Sequence, residues 1–176
     1  NSDYQIIDHT IHSRKDIMHI IVPHEIDKTN TQKLKNAISS ESLMYSNIKN
    51  MNQLHHNVLI IDVFGILKQL YRYSNIAYIG GGFNKGVHNT LEPAIHGNLI
   101  LFGPQHINFL ETFAFIKKGI ASIVKDKFDC AQKINQLLKE YNSRKGVKNK
   151  VSDFFKHNAD NTSMITRHIQ QDLKKK

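Results

Sequence analysis

The chain has 176 residues, of which 40% are hydrophobic, and this is enough for one domain with a buried core. It contains no run of 18 apolar residues, so no segment is predicted to span a membrane. Cys130 is the one cysteine, which excludes an internal disulfide.

The net charge of +9 is concentrated in the last third of the chain. Residues 120–176 hold 13 of the 24 Lys and Arg side chains and only six of the 15 acidic ones. Such a face attracts nucleic acid, anionic lipid or a phosphorylated substrate. We expect no nucleic-acid partner, because no recognition motif accompanies the charge. Three interpretations remain, namely a solvated lysine-rich surface, a peripheral contact with anionic lipid and attraction of a phosphorylated substrate.

The first third of the chain alternates amphipathic helices with short apolar strands. In chain order these are a helix over Asp3–Ser13, a strand over Met18–Val22, a helix from Thr29 or Asn30 to about Ser40, a weak strand over Leu43–Tyr45 and a polar loop over 46–57.

The same alternation continues with longer apolar runs in the middle of the chain. The predicted strands are Val58–Ile61, Ile76–Ile79, Leu99–Phe102 and Ala121–Val124. The predicted helices between and after them are Gly65–Tyr73, Thr90–Gly97, Phe109–Lys118 and Asp129–Tyr141.

The end of the chain has a different composition. A polar hinge is predicted over 142–150, and the chain is divided into an α/β domain over 1–150 and a C-terminal helical segment with a basic tail over 151–176. One face of that last helix or helix pair is marked by Val151, Phe155, Thr162, Ile165, Ile169 and Leu173.

Continuous apolar strands separated by helices predict an α/β fold, in which a parallel sheet has helices on both faces. Ligands of such sheets bind at the carboxyl ends of the strands. Four of these ends carry glycine or polar residues: Pro23–Glu25, Asp62–Gly65, Gly80–Asn89 and Gly103-Pro104.

The densest of these segments, Gly80–Asn89, combines three consecutive glycines and a fourth at Gly86 with a lysine and a helix start. Glycine lets the backbone approach a ligand, the N–H groups at a helix start suit phosphate, and a carboxylate in the first turn suits a sugar hydroxyl. The combination predicts a pocket for a nucleotide joined to a sugar. The residues assigned to it are Gly80, Gly81, Gly82, Lys85, Gly86, His88, Asn89 and Glu92.

The carboxyl ends of the strands together form the edge of the sheet that is called the rim below. Four further rim residues are assigned to the same pocket, namely Pro23, His24, Asp62 and Gly65. Each assignment has a structural alternative. Asn89 and Glu92 also fit an ordinary capped helix start, Asp62 also fits a helix cap, and a strand-end His24 also fits a structural role. The dispersed histidines give no metal signature.

Three stretches of the chain resemble the C-terminal domain of 3-deoxy-D-manno-octulosonic acid (Kdo) transferases. They are Ile21–Ile26, Asp62–Leu67 and Tyr78–Ala94, and the resemblance covers about residues 3–140. Two positions depart from the family pattern. His24 stands where many members have arginine, and Val87 stands where many have a second glycine.

The resemblance implies a GT-B glycosyltransferase with two Rossmann-like domains, CMP-Kdo as donor and a lipid A precursor as acceptor. This chain would be the C-terminal half, which holds the donor. The acceptor site, the membrane anchor and the catalytic carboxylate would lie in an N-terminal domain, so no catalytic residue, metal or cofactor is predicted here. The implied reaction is inverting, and its location is the cytoplasmic face of the inner membrane of a Gram-negative bacterium.

Two other functions fit the residues. One is a GT-B transferase that uses a UDP-sugar, for which the phosphate site would be the same. The other is a non-catalytic α/β module that binds a nucleotide or contacts a membrane.

Overall fold

The structure is a computed structural model. It describes residues 2–38, 40–50, 56–140, 144–158, 166–167, 169–171 and 173. None of the helices in these ranges has the length and apolar content needed to cross a membrane.

The first half of the chain forms a three-stranded parallel sheet. Strand β3 (Val58–Ile60) lies in its centre, between β1 (His19–Ile21) and β2 (Leu43–Met44). Helix α1 (Ser2–Ser13) precedes the sheet, and α2 (Lys28–Ala37) connects β1 to β2. The core of this half contains Ile11, Ile21, Leu34, Ile38, Val58 and Ile60.

The second half forms another three-stranded parallel sheet, in the order β4-β5-β6. Its strands are β4 (Ile76–Ile79), β5 (Leu99–Phe102) and β6 (Ala121–Ile123). The helices of this half are α3 (Leu67–Leu70), α4 (Leu91–Ile95), α5 (Leu110–Lys117), α6 (Lys127–Glu140) and α7 (Arg144–Asn158).

Strand β5 explains why the apolar runs are continuous. Ile100 and Phe102 pack in one core cluster with Phe115, while Leu101 packs on the other face with Val124. Successive strand residues point to opposite faces, so a strand covered on both faces needs apolar residues throughout. The predicted α/β class is therefore confirmed, although the described strands form two three-stranded sheets rather than one.

Helix α1 contacts both halves of the molecule. Ile11 and Ile7 belong to the core of the first sheet, whereas Ile6 packs against the cluster around Leu101 and Val124. The helix also packs along α6. Its amino end is thereby fixed beside the carboxyl end of β4.

Two sequence predictions about helix ends were wrong. Helix α2 begins at Lys28 and is capped by Asp27, whose Oδ1 accepts from the N–H of Asn30 at 2.8 Å, so neither Thr29 nor Asn30 is the cap. The polar hinge over 142–150 is also wrong from residue 144 onwards, where α7 begins. Val147 is buried in the core cluster that contains Ile100, Phe102 and Phe115, here called the second core. This packing stabilises the helix although the residues around Val147 are polar.

Helix α7 also crosses the position at which the sequence divides the chain, between residues 150 and 151. Val151 and Phe155 pack against the second core, whereas Ile169 and Leu173 are exposed. Thr162 and Ile165, predicted to share a face with them, lie outside the described residues, as does the tail over 174–176.

Candidate nucleotide-binding site

Two histidines from opposite halves of the molecule meet at the carboxyl ends of the strands. The rings of His24, after β1, and His88, after β4, stack with centroids 4.6 Å apart and planes 8° from parallel. Both side chains are exposed. The structure therefore brings together two residues that the sequence assigned to one pocket.

The glycine loop, residues 80–86, is a tightly folded turn. Gly81 has a φ of +89° and Gly86 a φ of +121°, values that favour glycine. Within the loop, the N–H groups of Asn84 and Gly86 both donate to the carbonyl of Gly81, at 2.9 and 3.1 Å. A Cβ on Gly81 would also collide with the carbonyl oxygen of Gly86.

The glycine loop also packs against the end of β5. A Cβ on Gly82 would lie 2.5 Å from the nitrogen of Gly103, and one on Gly103 would lie 2.6 Å from the carbonyl carbon of Gly82. Hydrogen bonds from Gln105 N–H to Gly82 O (2.8 Å) and from Val87 N–H to Gln105 O (2.9 Å) join the two segments. Two of these glycines are therefore required for contact between backbones, which is a structural role.

Asp3 is a rim residue that sequence analysis missed. Its carboxylate accepts from the Tyr78 hydroxyl at 2.8 Å and from the N–H of Gly81 at 3.2 Å. Burial, together with this hydrogen bond and the charge of Asp3, raises the pKa of Tyr78 and keeps its phenol protonated as the donor. No local signal could reveal this contact, because 78 residues separate Asp3 from Gly81.

Asn89 caps the start of α4 with its own side chain. Its Oδ1 accepts from the N–H groups of Leu91 (3.0 Å) and Glu92 (3.3 Å). The next residue, Thr90, is buried, and its hydroxyl donates to the carboxylate of Glu111 at 3.3 Å. The amides predicted to hold phosphate are thus engaged by Asn89.

Glu92 lines a cleft of about 270 Å³ that is bordered by residues of α3 and α4. The lining side chains are Lys68, Asn89, Leu91, Glu92, Ile95 and His96. Leu91 and Ile95 give the cleft an apolar component, while Lys68 gives it a cation. A cleft that combines apolar surface, a carboxylate and a cation suits a nucleoside phosphate.

The titratable groups around this cleft influence one another. Desolvation lowers the pKa of His96, and Arg72, Lys148 and Lys68 lower it further, against the opposing charge of Glu92. Burial raises the pKa of Tyr71 to about 12, with a smaller contribution from Glu92. Three basic side chains, Arg72, Lys148 and Lys68, therefore lie within electrostatic range of the cleft.

The remaining predicted residues do not converge on the cleft. Asp62 accepts from the N–H of Ser46 at 2.9 Å and from its hydroxyl, and so holds the turn after β2. It does not cap α3, which follows Ile66 and has no side-chain cap. Gly65 is exposed with a φ of +87°, Pro23 is buried beside His24, and Lys85 is exposed in the glycine loop.

Lys68 and His96 are cleft residues that the sequence did not single out, because scattered lysines and histidines carry no signal. In the described part of the chain, no three His, Cys, Asp or Glu side chains cluster as a metal site requires. The parallel sheets, with polar groups gathered at the carboxyl ends of their strands, define a ligand-binding α/β domain of the Rossmann-like class.

Comparison with known proteins places the chain beside glycosyltransferases. It is 29% identical over 150 residues to a bifunctional glycosyltransferase/methyltransferase of Fusobacterium nucleatum, covering 82% of this chain and 22% of that protein. It is 40% identical over 88 residues to the 3-deoxy-D-manno-octulosonic acid transferase of Aquifex aeolicus, covering 48% of this chain and 25% of that protein. The chain thus spans about a quarter or less of these curated relatives. No protein-family model matches it.

A solved structure supports the same fold. It is the crystal structure of the C-terminal CMP-Kdo binding domain of WaaA from Acinetobacter baumannii, with a TM-score of 0.67 and 22% identity over 86% of this chain and 82% of that one. The resemblance to Kdo transferases is confirmed by these comparisons.

Proposed function

We propose that this chain is the donor-binding domain of a Kdo transferase, a glycosyltransferase that moves Kdo from CMP-Kdo to a lipid A precursor in lipopolysaccharide biosynthesis. The observation that carries the proposal is the arrangement of His24, His88, Asn89 and Glu92 along one rim, within stretches that resemble these transferases. The identity to the Aquifex aeolicus transferase and the fold of the CMP-Kdo binding domain support it.

The cleft suggests how the donor is held. Glu92 accepts hydrogen bonds from the ribose hydroxyls, because a carboxylate offers only acceptor atoms. The phosphate lies towards His24, His88 and the side-chain amide of Asn89. When the bond to the sugar breaks, CMP gains negative charge, and donors and cations already in place at this rim stabilise that charge.

The reaction also needs a base that deprotonates the attacking hydroxyl of the acceptor. None of the rim residues is assigned this role, and the catalytic carboxylate would come from another part of the parent enzyme. The chain by itself is therefore expected to bind nucleotide without transferring sugar.

The basic surface supports a peripheral membrane position for the parent enzyme, at the cytoplasmic face of a Gram-negative inner membrane. Lys145, Lys148 and Lys156 are exposed on α7. Basic residues near an anionic surface contribute about 1 kcal/mol each. Sedimentation with phosphatidylcholine vesicles, with and without phosphatidylglycerol, measures this. Charge-dependent recovery that fades with salt is expected, and equal recovery on both vesicles leaves these lysines as solvated surface.

A ligand panel tests the donor proposal. NMR titrations with CMP, UMP, UDP and CMP-Kdo are expected to rank CMP above UMP, with a dissociation constant on the order of millimolar for CMP. Shifts are expected at residues 88–96 and at His24. A preference for UDP supports the UDP-sugar alternative, and no nucleotide binding supports the non-catalytic module.

Paired histidine variants locate the contact. His24→Ala is expected to weaken CMP binding, whereas His12→Ala, at an exposed position of α1, leaves it unchanged. Equal affinities for the two variants contradict a donor contact at His24.

A further inference from the structure

Five backbone amides of the glycine loop and the residues after it are already hydrogen-bonded within the protein. Their acceptors are carbonyl oxygens of Gly80, Gly81 and Gln105, and the carboxylate of Asp3. The five amides are those of Gly81, Asn84, Gly86, Val87 and His88. A loop that cradles phosphate needs amides that point to the ligand. In this loop three of the seven amides of residues 80–86 are turned inward, as are the next two along the chain.

Asp3 supplies the one anion in this arrangement. Its two hydrogen bonds, from the Tyr78 hydroxyl and the Gly81 amide, use one oxygen each, and the amide bond takes up a donor that a ligand's phosphate could otherwise use. The packing of Ile6 and Ile7 in separate core clusters fixes the first turns of α1. Asp3 is half-buried, so its carboxylate is held in a fixed position beside Gly81.

The charge lies close to the stacked histidines. The Asp3 carboxylate and the His88 ring both lie 3.9 Å from the position that a Cβ on Gly80 would occupy. A ligand phosphate at the glycine loop would therefore face a like charge within a few ångströms. At this range two unit charges repel by an amount that changes an equilibrium about fivefold even in water.

We propose that Asp3 is a specificity-determining residue, an internal anion that occupies the Gly81 amide and directs a ligand's phosphate away from that amide, towards the imidazoles of His24 and His88 and the side chain of Asn89. The proposal rests on the proposed donor site for its biological meaning. The electrostatic effect itself needs only a phosphate, so inorganic phosphate can test it without any cytidine.

The test compares Asp3→Asn with the wild type by NMR titration of inorganic phosphate and of CMP at low ionic strength. Removing the charge is expected to tighten phosphate binding about fivefold, with new shifts at the Gly81 amide. The gain is expected to shrink towards 0.5 M salt, since screening shortens the range of the interaction. Asp8→Asn makes the same charge change on the same helix and is expected to have little effect.

Tyr78→Phe provides a second variant that keeps the charge and removes one of the two hydrogen bonds of Asp3. Without that bond the carboxylate is free to turn away from Gly81, so phosphate binding is expected to tighten by less than in Asp3→Asn, about twofold. The variant therefore remains informative if Asp3→Asn does not fold. Unchanged or weaker phosphate binding in both variants, with or without a lowered melting temperature, overturns the proposal. If phosphate behaves as expected and CMP does not bind, Asp3 keeps its role and the donor assignment fails.

Discussion

The glycine loop and the start of α4 lie next to each other in sequence and looked equally suited to phosphate, yet they differ in the structure. In the glycine loop, residues that the sequence assigned to a ligand serve the packing of the protein itself. Gly82 packs against Gly103, and the Gly81 amide donates a hydrogen bond to Asp3. At the start of α4, the side chains of Asn89 and Glu92 line an open cleft.

The difference shows that small residues and polar residues carry different information. A glycine indicates that another group approaches the backbone closely, and for Gly81 and Gly82 that group is another backbone segment. A carboxylate that lines a cleft beside a lysine indicates a ligand more directly, because its two oxygens offer hydrogen-bond acceptors to a molecule in the cleft. Four measurements can sharpen or break this comparison.

The largest effect is expected from Gly82→Ala, on stability. The new Cβ would meet backbone atoms of Gly103 at 2.5–2.9 Å, and backbone cannot move aside cheaply. We expect a loss of about 3 kcal/mol, or a melting temperature lower by roughly 6–12 °C. Gly80→Ala is the matched control, because nothing lies closer than 3.9 Å, and it should stay within about 0.5 kcal/mol. Similar melting temperatures for the two variants would contradict the packing role.

Next in size is the effect of Glu92→Gln on ligand binding. Loss of a charge-assisted hydrogen bond to a ribose hydroxyl should weaken CMP binding by about 2 kcal/mol, while the free energy of unfolding changes by about 0.3–1 kcal/mol. Inorganic phosphate has no ribose, so its affinity should not fall. If CMP affinity is unchanged and only the melting temperature drops, Glu92 is an ordinary first-turn residue.

Two variants of Asn89 separate its capping role from ligand binding. Asn89→Ala removes the oxygen that accepts from Leu91 and Glu92, so we expect a stability loss of about 1 kcal/mol. Asn89→Asp keeps a capping oxygen and adds a negative charge, so stability should hold while CMP binding weakens about fivefold at low salt. Denaturant melts and titrations measure both. Unaltered CMP affinity in Asn89→Asp would move the phosphate away from α4.

The smallest effect is expected in the pH dependence of stability. The pKa of His96 is lowered in the folded protein by desolvation and then by Arg72, Lys148 and Lys68. As the pH falls below about 6.5, the unfolded chain therefore binds a proton first, and stability decreases. His96→Gln should reduce this slope in melts between pH 7 and pH 5. The same slope in both proteins would show that His96 keeps its ordinary pKa.

The pKa of His96 in the presence of CMP also tests whether the phosphate lies at the start of α4 or at the glycine loop. A phosphate bound beside Asn89, which lines the same cleft as His96, should raise the pKa of His96, because an anion favours the charged ring. NMR titration measures this pKa. A phosphate confined to the glycine loop should leave that pKa nearly unchanged.

The sequence pattern was sufficient for most of the secondary structure of the second half. The strands at Ile76–Ile79 and Leu99–Phe102 were predicted to the residue, because a strand buried on both faces must be apolar throughout. The helix ended by Gly119 was also correct, with a φ of +65° at that glycine. Predictions for segments with weaker patterns were less accurate. Helix α7, for example, begins seven residues before Val151, the first residue assigned to that helix.

For the candidate site as well, some features follow from the sequence pattern and others from the tertiary structure. The sequence by itself determined which residues are polar or glycine at the strand ends, and hence that His24, His88, Asn89 and Glu92 would lie on one rim. Only the tertiary structure decided what each residue touches there. The ring of His24 reaches His88, the carboxylate of Asp62 turns to Ser46, and Asp3 comes to the glycine loop. Local periodicity places a residue on a face of its own element, whereas contacts across tens of residues depend on how helices and strands pack together.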